Sequence, residues 1–322
     1  LFDTAVEKDK GTGLMMVCTF GDKEDVEKWH KHQLDLRVVI CEKGILNELA
    51  KPYDGLSLLQ AREKIVQDLK AQNKVLSEKP IQHNTNVHER CGTEIEFLKT
   101  SQWFIDVMNH KDKLISAGEE INWYPSHMKT RYSNWVKNLN WDWCISRQRH
   151  FGVPFPVWYE KDTGNPVVAK KEDLPIYPVS QKPSWYEQET GKSLDNLEPE
   201  LDVMDTWATS SVSPQIALHQ PKLSQEEFNK VFPMSLRMQA HDIIRTWTFY
   251  TIVKGLYNHN TLPWKNIMIS GFVLDAQGKK MSKSKGNAID PIEIMDKYGA
   301  DVVRYSASAV KLGEDLPFQE KY

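Results

Sequence analysis

The sequence predicts an α/β protein organised around a parallel sheet, on three observations. From residue 201 to 310 strand-like and helical segments alternate, the order that crossover helices over a parallel sheet produce. Residues 267–274 form an apolar, β-branched run of strand length. Residues 231–235 precede a long helical stretch, 242–256. At 322 residues with 40% hydrophobic content, the chain can bury a sizeable core and hold two or three domains.

The remaining elements follow from local pattern. Residues 14–20 are an apolar run of strand length behind Gly11-Thr12-Gly13, closed by Gly21-Asp22. Residues 23–33 carry charges at helical spacing, with Asp22 placed to cap them. Residues 34–40 read as a short strand. The clearest helix spans 57–76, capped by Ser57, with Ala61, Ile65, Leu69 and Val75 on one stripe expected in the core. Residues 82–99 form a turn-rich connector. Residues 101–138 are expected to be helical, with Trp103, Phe104, Val107 and Met108 on one face and a break at Trp123-Tyr124-Pro125. Residues 141–159 cannot be one helix, because Pro154 and Pro156 remove backbone donors. The polar, Pro-rich residues 160–199 are expected to be a surface excursion without a core of its own.

Composition excludes several classes. The mean hydropathy is −0.55, and no apolar run approaches the ~20 residues of a membrane-spanning helix. With 41 basic against 44 acidic residues, bulk charge does not draw the chain to nucleic acid, although a local basic patch can. Cys18, Cys41, Cys91 and Cys144 are scattered and form no disulfide framework, so a reducing, cytoplasmic setting is expected. The chain starts at Leu1 and stops where a new helical element begins, so an internal fragment of a longer protein is expected.

The strongest chemical signal lies between Gly278 and Gly286. Lys279, Lys280, Lys283 and Lys285 alternate there with Ser282 and Ser284, soon after an apolar strand. Glycines give such a loop backbone freedom, and ammonium groups three positions apart can straddle a polyphosphate while the hydroxyls add hydrogen bonds. A solvated basic loop is the plain alternative.

Lys280-Met281-Ser282-Lys283-Ser284 reads KMSKS, and it follows Ile269-Ser270-Gly271-Phe272-Val273-Leu274-Asp275. In this the chain resembles the class I aminoacyl-tRNA synthetases. Ser146-Arg147-Gln148 with Gly152-Val153-Pro154-Phe155-Pro156 is similar to a signature of their valine, isoleucine and leucine group. Asp202-Val203-Met204-Asp205-Thr206-Trp207 and Gln239-Ala240-His241-Asp242-Ile243-Ile244-Arg245-Thr246-Trp247 are similar to two further segments of that group. Within it the last two segments look most like the valyl branch of archaeal type. The resemblance runs along essentially the whole chain.

The resemblance implies the second half of a Rossmann-like catalytic domain preceded by the C-terminal part of a β-rich editing domain. The expected division is 1–80 editing, 81–159 connector and return to the catalytic core, 160–200 surface insertion, 201–300 catalytic with the KMSKS loop, and 301–322 the start of a helical region that contacts tRNA. It implies activation of valine with ATP, Mg²⁺ accompanying the phosphates, transfer to tRNA(Val), and a monomer at full length. Lys280 and Lys283 would be catalytic, supported by Met281, Ser282 and Ser284. Gly271, Phe272 and Val273 would lie beside adenine. Asp242 would accept from the ribose diol, with a helix N-cap as its alternative. Trp207 and Trp247 would wall an apolar valine pocket, with core packing as theirs. His241 reads as a structural neighbour, while Arg147 and Gln148 would brace the core against the insertion.

A valine pocket admits threonine, so a hydrolytic editing site is needed. By resemblance Asp22 would hold the ammonium of the misattached amino acid; capping the next helix is its other reading. His88 and Cys91 resemble half of a zinc knuckle, but no second CxxC follows, so a structural turn is expected and no metal is assigned. The family's other ATP motif, HIGH, is missing from the chain, which implies that this polypeptide alone does not adenylate valine. An isoleucyl or leucyl relative is one rival reading. A non-catalytic tRNA-binding module is another, against which the intact lysine loop argues.

Overall fold

The computed structural model describes residues 3–318 apart from 5, 19–22, 42, 83, 89, 90, 220–222, 284 and 285. The chain divides into two units, Leu1–Ser101 and Gln102–Tyr322.

In the first unit, α1 (Lys23–His32) has Glu24 and Asp25 in its first turn and His30, Lys31 and His32 in its last, which complements the helix dipole. The second helix, α2 (Leu58–Ala71), starts from a capping box in which Ser57 and Gln60 satisfy each other's backbone N–H. It stops earlier than expected, because Asn73 turns into the left-handed region at φ 55°. Of its apolar stripe, Ala61 is buried but Leu69 lies exposed, so the core face is narrower than the pattern suggested. Residues 14–18 and 34–39 form no ladder. Extended pairing among the described residues of this unit is limited to isolated bridges such as Ile40 with Leu46 and Val87 with Glu94.

The second unit opens with a short strand where a helix was expected. β1 (Phe104–Ile105) pairs with Cys144 and Trp143, and Trp103 N–H donates to Ser146 Oγ at 2.8 Å, so tertiary pairing overrides the local helical pattern. Helix α3 (Lys111–Glu120) leads directly into β2 (Asn122–Tyr124), which had read as a break. Three residues are too few to show a strand period. After α4 (Lys129–Lys137) come β3 (Trp143–Cys144) and β4 (Ser146–Arg147).

The Pro-rich segment does have a core. β5 (Val157–Glu160) is the middle strand of an antiparallel sheet, flanked by β6 (Pro166–Val168) and, beyond helix α5 (Tyr186–Thr190), by β7 (Leu197–Pro199). Trp158, Tyr186 and Leu197 are buried together beneath it. Glu160 ties this layer: hydrogen bonds from Lys192 first, then Thr163 and Tyr186, hold its carboxyl down at about 2. β8 (Val203–Met204) then pairs back antiparallel with β4.

Helices α6 (Thr206–Ser210), α7 (Ser213–His219) and α8 (Gln225–Val231) precede β9 (Met234–Ala240). The stretch expected as one long helix is three pieces. A 3₁₀ turn at His241–Ile243 passes into a π-helical segment at Ile244–Thr248 and then into α9 (Phe249–His259). π segments of this kind mark functional sites often enough to note its position directly after β9. β10 (Trp264–Ser270) follows, and it is the central strand of a parallel sheet, ordered β2-β10-β9. Trp264, Ile267 and Ile269 are fully buried on it and pack with α3, α4 and α9 around Leu114, Tyr132, Val136 and Ile252. The outer edge of β9 carries no partner strand among the described residues, and Leu236 and Met238 are exposed on it. No described helix is long and apolar enough to cross a membrane.

Gly118 tests this packing. The Tyr132 ring covers it so closely that an added Cβ would sit 2.2 Å from Cε1, while Tyr132 O–H donates to Leu114 O at 2.8 Å and Trp123 Nε1 to Gly118 O at 2.9 Å. Gly118→Ala is expected to destabilise the unit by about 1–3 kcal/mol, read as a lower urea midpoint with the m-value unchanged.

Candidate active site

Ligands of open α/β sheets bind beyond the carboxyl ends of the strands. Here β9 ends at Ala240 and β10 at Ser270, which are register partners, so the chains leaving them emerge side by side. From the first come His241 and Asp242; from the second come Gly271, Phe272 and then β11 (Val273–Leu274).

Asp242 lies inside the 3₁₀ turn, and the turn's cap position is Ala240, so it is not the helix N-cap. Its carboxylate instead accepts from Lys280 Nζ at 3.3 Å, and the same ammonium sits 4.2 Å from the centre of the Phe272 ring. Asp242 thus meets Phe272 and Lys280, which lie 30 and 38 positions further along the chain, at one point. The Asp242–Lys280 pair is solvent-exposed on both sides, with side chains 38% and 59% accessible. Such pairs contribute roughly 1 kcal/mol or less, so either partner can be given up to another polar group at little cost. Beside Asp242 opens a cleft of about 500 Å³, walled by Arg131, Asn134 and Trp135 from one face of α4, by Asn138 at its C-cap and by Arg245.

The lysine loop is more ordered at its base than the sequence implies. Asp275 Oδ1 accepts the N–H groups of Gln277 and Lys279 at 3.0 and 2.7 Å, and Asp275 Oδ2 accepts Asn287 Nδ2 at 2.8 Å. Asn287, and then the Lys279 N–H, hold this carboxyl below the usual carboxylate range. Asn287 Oδ1 accepts Ser282 N–H at 2.9 Å, so one staple closes the loop and fixes the backbone next to Met281. Lys283 is exposed beyond it. Ser284 lies outside the described residues, as does Asp22.

The base of the site is held from the far end of the chain. Beyond α10 (Pro291–Tyr298) and α11 (Ala300–Ser308), β12 (Leu316–Pro317) pairs in parallel with β11. Gly271 permits this approach, because a Cβ there would lie 2.0 Å from Glu314 O. Asp315 Oδ1 accepts Phe272 N–H at 2.7 Å and lies 3.1 Å from His241 Nε2.

Trp247 is buried, stacked on Trp264 at 5.2 Å between ring centres, with the Arg237 guanidinium 3.9 Å from its ring. Its Nε1 donates to Ser210 O on α6, the helix that carries Trp207. Asp205 caps α6 by accepting Trp207 N–H, and Arg147 bridges to that same carboxylate at 2.9 Å. Gln148 donates to Asp202 at 2.7 Å, so the two signature segments brace each other across β4 and β8. At the knuckle, His88 Nδ1 lies 3.2 Å from Cys91 Sγ, and Cys91 Sγ lies 3.2 Å from Thr93 Oγ1. Asp275, Asn287, Asp315 and Arg131 went unread in the sequence. Asp275 and Asn287 flank the glycines and could have been suspected as loop anchors; Asp315, 43 residues from Phe272, left no local signal.

These groups gather beyond the carboxyl ends of β9 and β10 on a parallel α/β fold. The family of class I tRNA synthetases (I, L, M and V) matches residues 21–319, and the chain belongs to it. It is 50% identical to the valine–tRNA ligase of Thermoplasma volcanium over 319 residues, and 46% identical to that of Rickettsia conorii over 328. Each match covers 99% of this chain and 40% of the relative, so the chain spans about 40% of the length of the curated relatives it matches. Among solved structures, Mycobacterium tuberculosis methionyl-tRNA synthetase bound by methionyl-adenylate superposes with a TM-score of 0.51 at 21% identity. That match covers 74% of this chain and 39% of that one and establishes the shared fold.

Gly271→Ala should separate β11 from β12. The amides of Leu316 and Phe318, which donate to Phe272 O and Leu274 O at 2.7 and 2.8 Å, are expected to exchange hydrogen roughly ten-fold faster or more. Amides of the β9–β10 ladder should keep their protection.

Proposed function

We propose that the chain supplies the KMSKS half of an ATP-dependent amino-acid-activating site, in a protein that charges tRNA(Val) with valine. The observation that carries this is the meeting of Lys280 with Asp242 and Phe272 beyond the ends of two parallel strands. The identity to valine–tRNA ligases supports the choice of amino acid.

ATP arrives with Mg²⁺ as its substrate complex. In this reading Asp242 accepts from the ribose diol, and Gly271, Phe272 and Val273 lie along adenine. Lys280 and Lys283, with Met281, Ser282 and Ser284, follow the phosphates. The valine carboxylate attacks the α-phosphorus, an oxygen–phosphorus bond forms, and the bond to the β-phosphate breaks to release pyrophosphate. The lysine ammonium groups offset charge as it moves onto the leaving group, so their contribution is larger in the transition state than in the bound substrate. A ribose hydroxyl of the tRNA then takes the valyl group, loses its proton and displaces AMP. Trp207 and Trp247 wall the pocket for the isopropyl group, Trp247 from its buried place against Trp264, and Asp22 holds the ammonium of misattached threonine for hydrolysis. The cytoplasm supplies the reduced setting and the substrates, and the full-length protein acts as a monomer.

The test is valine-dependent ATP–pyrophosphate exchange by a protein carrying these residues at the length of the relatives. Lys280→Ala and Lys283→Ala are each expected to lower kcat by roughly 10²–10³-fold, the scale for removing one transition-state charge donor. Lys311→Ala, at an exposed lysine remote from the loop in sequence, should leave it unchanged. Exchange driven equally by isoleucine would overturn the amino-acid assignment. For the editing role, Asp22→Ala should leave exchange intact and let threonyl-tRNA(Val) accumulate; hydrolysis of that ester at the unsubstituted rate removes Asp22 from the site.

A further inference from the structure

We propose that Asp315 is a positioning residue for the nucleotide site: one carboxylate oxygen holds both the backbone under the adenine segment and the imidazole next to the ribose-binding carboxylate. This deepens the reading of the site given above and rests on it.

Arg131 Nη1 lies 3.2 Å from His241 Nδ1, and His241 Nε2 lies 3.1 Å from Asp315 Oδ1. A guanidinium can only donate and a carboxylate can only accept. The ring between them must therefore accept at Nδ1 and donate at Nε2, which is the neutral Nε2–H tautomer. Asp315 is the group that selects it. The same Oδ1 accepts Phe272 N–H at 2.7 Å. That backbone bond, and then the His241 bond, hold the Asp315 carboxyl below the usual carboxylate range, so it stays an acceptor near neutral pH.

The two held residues touch each other, and Phe272 also touches the catalytic lysine. The His241 and Phe272 rings meet edge to face with centroids 4.4 Å apart, and Lys280 Nζ lies 4.2 Å from the Phe272 ring centre. His241 directly precedes Asp242, so anchoring the imidazole restrains the chain that carries the ribose acceptor. Asp315 bonds to neither Asp242 nor Lys280 here; it acts through the Phe272 backbone and His241. Its own place is set by the β11–β12 pairing and by the Glu314 carbonyl pressed against Gly271.

Two measurements test this. In the exchange assay at full length, Asp315→Ala is expected to raise KM for ATP roughly ten-fold with KM for valine unchanged. Asp315→Asn, whose Oδ1 can still accept both bonds, should recover to within about three-fold of the unsubstituted value. A residue that merely supports the fold would move both KM values together, and that result, or an unchanged KM for ATP in Asp315→Ala, overturns the proposal. If the unsubstituted protein shows no valine-dependent exchange, the functional reading fails, and the second measurement decides the positioning role alone. This is ¹⁵N NMR of selectively labelled histidine in the 322-residue chain, with His241 assigned by its loss in His241→Gln. The Nε2–H tautomer is expected in the unsubstituted chain and in Asp315→Asn, and a mixture of tautomers in Asp315→Ala. An Nδ1–H ring in the unsubstituted chain, or an unaltered ring in a folded Asp315→Ala chain, refutes it.

Discussion

Everything at the site depends on the parallel register of β9 with β10. Met234 faces Trp264 at one end and Ala240 faces Ser270 at the other, so both strands stop at the same level. A parallel pair cannot be closed by a tight turn; the connection has to cross over, and here α9 does so. The result is that two unrelated stretches, one bearing Asp242 and one bearing Phe272 and the lysine loop, leave the sheet as neighbours. Burial of Ile267 and Ile269, two positions apart on one face of β10, makes a slip of register expensive, because a shift by one residue would turn those side chains to the opposite face.

Carboxylates then do most of the arranging above the sheet. Asp275 and Asp315 are each satisfied by two or three donors, and both are held below the usual carboxylate range by those bonds. They keep the loop base and the Phe272 backbone in place. Asp242 is different: it has an exposed lysine for a partner, and such a pair is readily given up. Fixed acceptors beneath and an exchangeable pair on top are what a site needs if its charged groups are to turn from each other toward a substrate without loss of the scaffold.

The aromatic layer links this edge to the rest of the unit. Trp247 lies between Arg237 and Trp264 and reaches Ser210 on α6, while Asp205 at the start of α6 is bridged to Arg147. One line of contacts thus runs from the central strand to the pairing of β4 with β8. The antiparallel layer built on β5 keeps its own small core, with Trp158 fully buried, and hangs from that brace.

The lysine loop, the glycines around it, the strand before it and the helix cap at Ser57 were all legible in the sequence, because each is a local pattern. So was the parallel α/β class, which needs only the order of elements. Other features came from tertiary contact. β1 and β2 are strands of two and three residues whose pairing partners lie far along the chain, so no period could announce them. The break of residues 242–256 into 3₁₀, π and α pieces follows from packing at the end of β9, not from a propensity. The small core under the Pro-rich segment depends on Trp158, Tyr186 and Leu197 meeting from three separate elements. Residue type and spacing alone singled out the lysine loop between Gly278 and Gly286. Only the folded chain decided that Asp315 would lie under Phe272 and His241, because a hydrogen bond across 43 or 74 residues has no local signature.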